Sequence, residues 1–241
     1  ASGLLDELAS TIEQHAASCN AQELANVAYA YAKAEHGAPS LFAAIAAAAG
    51  QRVSEFNAQE LSIAVHAFAK AGHAAPVLFG NLATACTARL DDFTPQGIAN
   101  TVWAYAAAAH PSPALFDAVA RTSVPRVRDF NPQDLSITVH AFAKAGHASP
   151  ALFEAVASTA VQRLGSFTPQ GLANVLWAYA TMGHSAPALF EEAAVVSMRR
   201  LDEFDPQALA NVAWSCAKAC HSDARLFGAL RPAAEHHADA V

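Results

Sequence analysis

Residues 167–203 read FTPQGLANVLWAYATMGHSAPALFEEAAVVSMRRLDE, and the chain on both sides of this stretch is the same passage with changes. Copies of the passage begin at steps of 37 residues, with a Cys in place of the Phe in the first: Cys19, Phe56, Phe93, Phe130, Phe167 and Phe204. Self-similarity with a period of about 20 to 50 residues is typical of solenoids. The function therefore depends on what a stack of such units presents to a partner.

We predict one continuous solenoid domain. Residues 4–18 align with residues 152–166, so the chain opens with the second helix of an incomplete repeat. We expect a piece of a longer array, because neither end carries an obvious polar cap. The predicted bounds are 1–18 for the incomplete repeat and 19–55, 56–92, 93–129, 130–166, 167–203 and 204–241 for the six repeats.

Each unit carries the signals of two helices. Helix A follows a residue whose side chain can cap it and begins at a proline in four units, after Thr94, Asn131, Thr168 and Asp205. It should end near a glycine able to adopt the left-handed conformation, at Gly72, Gly146 or Gly183. Helix B begins at a second proline: Pro39, Pro76, Pro113, Pro150 or Pro187. It ends at an arginine: Arg52, Arg89, Arg126, Arg163 or Arg200.

This pattern predicts an all-α protein, a right-handed α-solenoid of tandem 37-residue helix-turn-helix repeats. Residues 93–116 lack charges, yet Pro111 and Pro113 fall where the repeat places its turn, so we predict two short helices there and no membrane span. No signal or transit peptide is recognisable after Ala1.

The composition limits the classes of ligand that the protein can bind. A net charge of −7 argues against an indiscriminate polyanion binder, because Lys and Arg at phosphates supply most nucleic-acid affinity. Any basic surface must therefore be a local stripe. The cysteines show no disulfide spacing, and we interpret them as reduced core thiols: Cys19, Cys86, Cys216 and Cys220.

Helix A can be read by angle at about 100° per residue. In the third repeat, Ile98, Val102 and Tyr105 share the face that must meet helix B. The flanks are small, as close packing against neighbouring A helices requires: Gly97, Ala99, Thr101, Ala104 and Ala106. The opposite face, here called the A-helix stripe, reads Gln, then Asn or Ile, then an aromatic residue or His, then usually Lys. We expect the stripe to line the inner surface of the superhelix.

A glutamine opens the stripe in every repeat: Gln22, Gln59, Gln96, Gln133, Gln170 and Gln207. These side chains either bond a base or a partner's backbone, or bridge adjacent A helices as a ladder. We favour the ladder, because a residue that never varies cannot discriminate between ligands.

A column of flat side chains occupies the third stripe position: Tyr29, His66, Trp103, His140, Trp177 and Trp214. They either stack unpaired bases, at about 1 to 3 kcal/mol per base, or fill the gap between alanine-flanked helices. Ile63 and Ile137 accompany His, whereas Asn100, Asn174 and Asn211 accompany Trp. The units thus alternate with a period of 74, which is either a two-state base code or the record of a duplicated pair.

Two basic columns also follow the period. The lysines that close the stripe either contact phosphates or favour a helix C-terminus and pair with nearby acids: Lys33, Lys70, Lys144 and Lys218. For the arginines of helix B we favour the second alternative. The histidines after helix A are predicted turn and capping residues, because copies about 10 Å apart cannot share a metal. They are His36, His73, His110, His147, His184 and His221.

No catalytic constellation stands out. The sequence shows no Ser-His-Asp ordering, glycine-rich phosphate loop or paired carboxylates, and histidines present in every unit make poor unique bases. We therefore expect a protein that is not an enzyme and that holds neither a cofactor nor a metal.

The unit F-x-P-Q-x-L-A-N-x-x-W-A-Y-A, followed by G-H-x-x-P-x-L-F, resembles the heptatricopeptide and octotricopeptide repeats of organelle proteins. The likeness covers nearly the whole chain, and the period of 37 suits the heptatricopeptide form. The resemblance implies an RNA-binding solenoid of the chloroplast or mitochondrion. Such a protein would act in transcript maturation, stability, translation or ribosome assembly, with the inner A-helix surface on single-stranded RNA.

Our leading hypothesis is therefore a non-enzymatic module for single-stranded RNA. Bases would stack on the column from Tyr29 to Trp214, Lys33, Lys70, Lys144 and Lys218 would meet phosphates, and asparagines would read base edges: Asn26, Asn100, Asn174 and Asn211. The alternative is a protein-binding scaffold subunit in a large organellar complex, suggested by the net charge and the alanine-rich surface.

Overall fold

The computed structural model describes residues 2–221, and helices dominate these residues. The second half of the sixth predicted repeat, residues 222–241, lies outside them. The helices are α1 Ser2–His15, α2 Ala21–Lys33, α3 Pro39–Gln51, α4 Ala58–Lys70, α5 Pro76–Ala88, α6 Pro95–Ala107, α7 Pro113–Ser123, α8 Pro132–Lys144, α9 Pro150–Val161, α10 Pro169–Met182, α11 Pro187–Met198 and α12 Pro206–Lys218. The even-numbered helices are A helices and the odd-numbered ones are B helices.

The chain divides into two compact units at Val119 and Ala120. In the first unit, A helices pack side by side in the order α2, α4, α6, and B helices in the order α1, α3, α5. In the second unit, α8, α10 and α12 form the A layer, and α9 packs against α11. Helix pairs stacked in two layers confirm the predicted all-α solenoid class.

The caps explain where each A helix begins. The side chain of the residue before the helix accepts a backbone N–H of the first turn in all six cases: Asn20, Asn57, Thr94, Asn131, Thr168 and Asp205. In α2, α4 and α8 an acidic residue also bonds back to the cap backbone, which satisfies a second N–H.

Each A helix ends in a left-handed residue followed by the turn histidine. Gly72, Gly146 and Gly183 take φ of 63° to 64°, as predicted. Three other units place Glu35, Ala109 and Cys220 in the same conformation, which glycine would adopt with less strain. The next residue donates its N–H to a carbonyl five residues back, for example His73 to Phe68 at 3.1 Å. The histidines are therefore turn residues of the kind predicted.

Short 3₁₀ turns connect each B helix to the next A helix, a feature that the sequence analysis did not include. They are Ala16–Ser18, Val53–Glu55, Leu90–Asp92, Val124–Asp129, Leu164–Ser166 and Leu201–Glu203. The B helices begin at the predicted prolines, but α7 ends at Ser123, three residues before Arg126. The prediction that helix B ends at the arginine is thus wrong for α7, because a 3₁₀ turn replaces its last turn.

The face predicted to meet helix B is the core face. Ile98, Val102 and Tyr105 are all buried, as are the small flanking residues Ala99 and Ala104. Neighbouring A helices pack more extensively than neighbouring B helices, and their small flanking residues permit this close approach.

The cysteine prediction is half right. Cys86 and Cys216 are buried, and burial raises the pKa of the Cys86 thiol to about 12. Cys19 is only partly buried and Cys220 is exposed, so neither is a core thiol. Cys220 takes the left-handed turn position.

Candidate nucleic-acid interface

The A-helix stripe lies at the surface, opposite the B helices. Its glutamines and lysines are exposed, its asparagines are exposed or partly buried, and Tyr29 and Trp214 are 40% and 44% exposed. His66, Trp103, His140 and Trp177 are partly buried. The stripe is therefore the polar and aromatic face of otherwise apolar helices.

Neighbouring rings of the stripe touch one another. His66 lies between Tyr29 and Trp103, with ring centroids 6.4 Å and 4.8 Å apart. In the second unit, His140 and Trp177 lie 4.9 Å apart at an interplanar angle of 40°. These contacts show that the rings do fill gaps between A helices. Their outer faces and edges are what they can offer to a ligand.

A cleft of about 510 Å³ opens on the stripe of the first unit, and we call it the first cleft. Its walls come from α2, α4, α6 and the turn before α6, and its volume falls in the range of small-ligand pockets. It is lined by Tyr29, Ala58, Gln59, Ser62, Ile63, Asp92, Phe93, Thr94, Gln96, Gly97 and Asn100.

Only some polar groups of the first cleft can reach a ligand. Thr94 accepts the N–H of Gly97 at 3.1 Å, and Ser62 donates to the Gly97 carbonyl at 3.1 Å. The Thr94 hydroxyl therefore caps α6, and the Ser62 hydroxyl joins α4 to α6. The amides of Gln59, Gln96 and Asn100 and the carboxylate of Asp92 make no side-chain hydrogen bond within residues 2–221.

The predicted glutamine ladder is absent from the described residues. All six side chains are exposed, and the hydrogen bond that one of them makes runs along its own helix, from Gln170 Nε2 to Asn174 Oδ1 at 2.9 Å. The other five glutamine side chains make no hydrogen bond in the described residues and are thus available to a ligand.

The lysines end the A helices, as a favourable interaction with the helix dipole requires. None of the four lysines pairs with an acid in the described part of the chain. The predicted alternative of pairing with nearby acids is therefore wrong for them. Lys218 lies 5.2 Å from the ring centre of Trp214, and Lys33 lies 6.0 Å from that of Tyr29. Cations therefore sit beside the two most exposed rings.

The arginines of helix B have a role that the sequence analysis missed. Arg52, Arg89, Arg163 and Arg200 each donate to the carbonyl that opens their own repeat, at Cys19, Phe56, Phe130 and Phe167 respectively. We call this contact the arginine clasp. Arg200 is the one of the four that also pairs with an acid among the described residues, Glu203 at 2.7 Å. The clasp joins the end of each unit to its beginning and occupies the guanidinium.

Tyrosines and histidines join consecutive repeats. Tyr105 donates to the Phe79 carbonyl at 2.7 Å, and Tyr179 to the Phe153 carbonyl at 2.5 Å. The turn histidines of four units lie on phenylalanine rings of the preceding helix B, with ring centroids 5.1 to 5.6 Å apart: His73, His110, His184 and His221. These contacts give the tyrosines and histidines a structural role in joining the repeats.

Two stripe histidines are shifted toward the neutral form. Burial, with a smaller effect from the charge of Lys70, lowers the pKa of His66. The pKa of His140 is lowered in the same way by burial and by Lys144. At neutral pH both rings are therefore uncharged and contribute stacking surface, while positive charge comes from the lysines.

No cluster within residues 2–221 has the ligands for a metal ion. The same residues contain no helix with the length and apolar character of a membrane span, and residues 93–116 form parts of α6 and α7 as predicted.

The alternation of the stripe stops at the sixth repeat. Asn211 and Trp214 follow Asn174 and Trp177, so two Asn–Trp units are adjacent there. The period of 74 therefore does not hold through the last repeat.

The model of a family described as RNA-editing substrate-binding complex 6 protein matches residues 3–224. No curated protein matches the chain. The match covers every helix of the described structure except the first residue of α1.

Proposed function

The chain belongs to the RNA-editing substrate-binding complex 6 family, and from this premise we propose that it binds single-stranded RNA through its A-helix stripe, without enzymatic activity. The first cleft carries the proposal, because an exposed ring and unengaged amides meet there on the face opposite the core. The family name describes a complex that binds RNA-editing substrates, which supports a position next to RNA.

Three groups of stripe residues contact the RNA in this proposal. Bases stack on the accessible faces of the column from Tyr29 to Trp214, whose end rings are the most exposed. Asn26, Asn100, Asn174 and Asn211 contact base edges. Lys33, Lys70, Lys144 and Lys218 meet phosphates, since no described acid neutralises them.

The repeat class and the location are part of the proposal. The period of 37 and the F-x-P-Q-x-L-A-N motif support heptatricopeptide units, and the family match supports an RNA-associated helical-repeat protein more generally. We propose a mitochondrial location, in keeping with RNA editing by complexes of this kind. The chloroplast, expected as the other possibility, gains no support from the family.

Replacing stripe aromatics tests the RNA proposal. The exposed pair Tyr29→Ala with Trp214→Ala should weaken binding of single-stranded RNA at least tenfold, since stacking contributes about 1 to 3 kcal/mol per base. A second double variant, Trp103→Ala with Trp177→Ala, should weaken RNA binding more than the first does. Val77→Ala, on the B-helix face, is the control. Unchanged RNA affinity in both helical variants would refute stacking.

A second candidate function is that of a protein-binding scaffold. The observation that favours it is a groove of about 510 Å³ along α3 and α5, lined by five alanines and by Val77, which is 77% exposed, among other residues. Neither helix carries a charged residue, whereas α9 and α11 carry Glu154, Glu191 and Glu192. Such a face suits an apolar protein partner and not a phosphate backbone.

Nuclease treatment and salt separate the two candidates. A scaffold predicts a co-purifying complex that survives nuclease and changes little with ionic strength. RNA binding through lysines predicts affinity that falls steeply as salt rises. Val77→Glu should disrupt binding of a protein partner and leave RNA binding unchanged.

A further inference from the structure

Asp92 is the one acidic residue that lines the first cleft. It ends the 3₁₀ turn Leu90–Asp92, Phe93 and Thr94 separate it from α6, and its side chain is exposed. Within residues 2–221 the carboxylate has no ion pair or hydrogen bond. Phosphates repel a carboxylate. In a cleft proposed for RNA, an unpaired carboxylate must therefore meet another part of the RNA.

The chemistry of the group limits what it can bind. An ionised carboxylate only accepts hydrogen bonds, and its two oxygens can take two neighbouring donors. In a single strand the Watson–Crick edges of the bases are open to such contacts. Guanine presents two adjacent donors there, N1–H and the N2 amino group. Adenine, cytosine and uracil each place an acceptor beside their donor, and that acceptor would face a negative oxygen.

The other free groups of the first cleft complement this choice. The amides of Gln59, Gln96 and Asn100 can donate as well as accept, so they can meet the O6 and N7 acceptors of the same base. The ring of Tyr29 and the side chain of Ile63 give the cleft flat and apolar walls. The cleft thus combines one acceptor-only group with several adaptable ones.

We infer that Asp92 makes the first cleft selective for a guanine base, held with its N1–H and N2 amino group on the carboxylate. This inference rests on the proposed binding of single-stranded RNA. Ser166 occupies the equivalent position 74 residues later, so the carboxylate is not repeated at the junction of α8 with α10. Glu203, a further equivalent, is bound to Arg200 at 2.7 Å and is not available in the same way.

The test is selection of RNA from a pool of random single-stranded oligomers by the full chain and two variants. Asp92→Ser copies the residue of the second unit. Asp91→Ser is the matched control, because Asp91 is the adjacent exposed acid but does not line the cleft. The wild type and Asp91→Ser should enrich a guanine at one position of the selected motif, and Asp92→Ser should lose that enrichment.

Single-atom changes in the selected RNA then test the contact itself. Replacing the enriched guanine by inosine removes the N2 amino group and should weaken wild-type binding by roughly tenfold, as one lost base-edge contact predicts. Asp92→Ser should bind both oligomers equally. Asp92→Asn, which keeps the shape and adds a donor, should shift the preferred base away from guanine.

The possible failures are distinguishable. If the folded wild type binds no RNA, the proposed function fails and the inference with it. If RNA binds but guanine enrichment persists in Asp92→Ser, the inference alone is wrong. If a 2′-deoxy substitution weakens the wild type and not Asp92→Ser, the carboxylate contacts ribose, and guanine selectivity is again refuted.

Discussion

The junction of α4 with α6 and that of α8 with α10 are built alike but present different surfaces. In both, a serine and a capping threonine surround a helical glycine: Ser62, Thr94 and Gly97 in one, and Ser136, Thr168 and Gly171 in the other. A Cβ on either glycine would come within 3.3 Å or 3.1 Å of its nearest neighbour, so both junctions are closely packed.

The difference lies in the exposed polar groups. Gln170 and Asn174 bond to each other at 2.9 Å, whereas the equivalent Gln96 and Asn100 make no such bond in the described structure. Asp92 in the first junction is replaced by Ser166 in the second. Buried repeat positions therefore set the fold, and a few exposed positions vary the polar groups at the surface without disturbing it.

The largest expected effect concerns what the junctions share. Arg89→Ala and Arg163→Ala each remove an arginine clasp, and each should lower the free energy of unfolding by about 2 to 3 kcal/mol, since hydrogen bonds to charged groups are the stronger ones. Chemical denaturation measures this. Arg128→Ala, at an exposed position, should change the free energy of unfolding by less than about 0.5 kcal/mol. A large loss of unfolding free energy in only one of the two variants would contradict the similarity of the two junctions.

A smaller effect is expected from the tyrosines that join repeats. Tyr105→Phe and Tyr179→Phe remove one buried hydrogen bond each and should cost about 1 kcal/mol of unfolding free energy. Phenylalanine already occupies this position at Phe68 and Phe142, so the ring itself fits. Thermal unfolding should show no change for Tyr29→Phe, and a change as large as that of the buried pair would contradict the account.

The caps and periods that these predictions use could be read from the sequence, because they depend on neighbouring residues. Thr94 and Pro95 indicate the start of a helix, and the 37-residue period places the stripe opposite the core. The arginine clasp could not be read, because its acceptor is a backbone carbonyl 33 residues away that leaves no mark in the sequence. The left-handed Glu35 and Ala109 were likewise missed, since neither residue type indicates that conformation.

The candidate site divides in the same way. Its residues were predicted from periodicity, but their contacts were not, because side-chain pairing depends on the exact spacing of the helices. The bond from Gln170 to Asn174 and the contact of His66 with Trp103 emerged only from the structure. The role of each stripe residue in binding RNA stays a prediction.

The difference between the junctions predicts unequal effects of asparagine on RNA affinity. Asn100→Ala should weaken binding about fivefold, because its amide is free to meet a base, while Asn174→Ala should weaken it about twofold. Fluorescence anisotropy with the same oligomer compares the two. Equal losses would show that the internal bond of Asn174 does not compete with RNA.

The smallest effect is a pH dependence that both units share. Folding lowers the pKa of His66 and His140 below 6.5, so the unfolded chain binds more protons. Their contribution to stability is complete above pH 6.5 and falls as the pH drops below that value toward the folded pKa. Denaturation midpoints should thus be lower at about pH 5.5 than at about pH 7.5. The variant with His66→Gln and His140→Gln should lose part of this dependence, and an unchanged profile would contradict the assignment.

The most direct test of the central claim is equilibrium binding of the purified chain to short single-stranded RNA at about 0.15 M salt, with duplex RNA beside it and salt then raised. The account predicts binding of the single strand, little binding of the duplex, and a steep loss of affinity with salt. A folded, helical protein that binds neither RNA, or both equally, would contradict it.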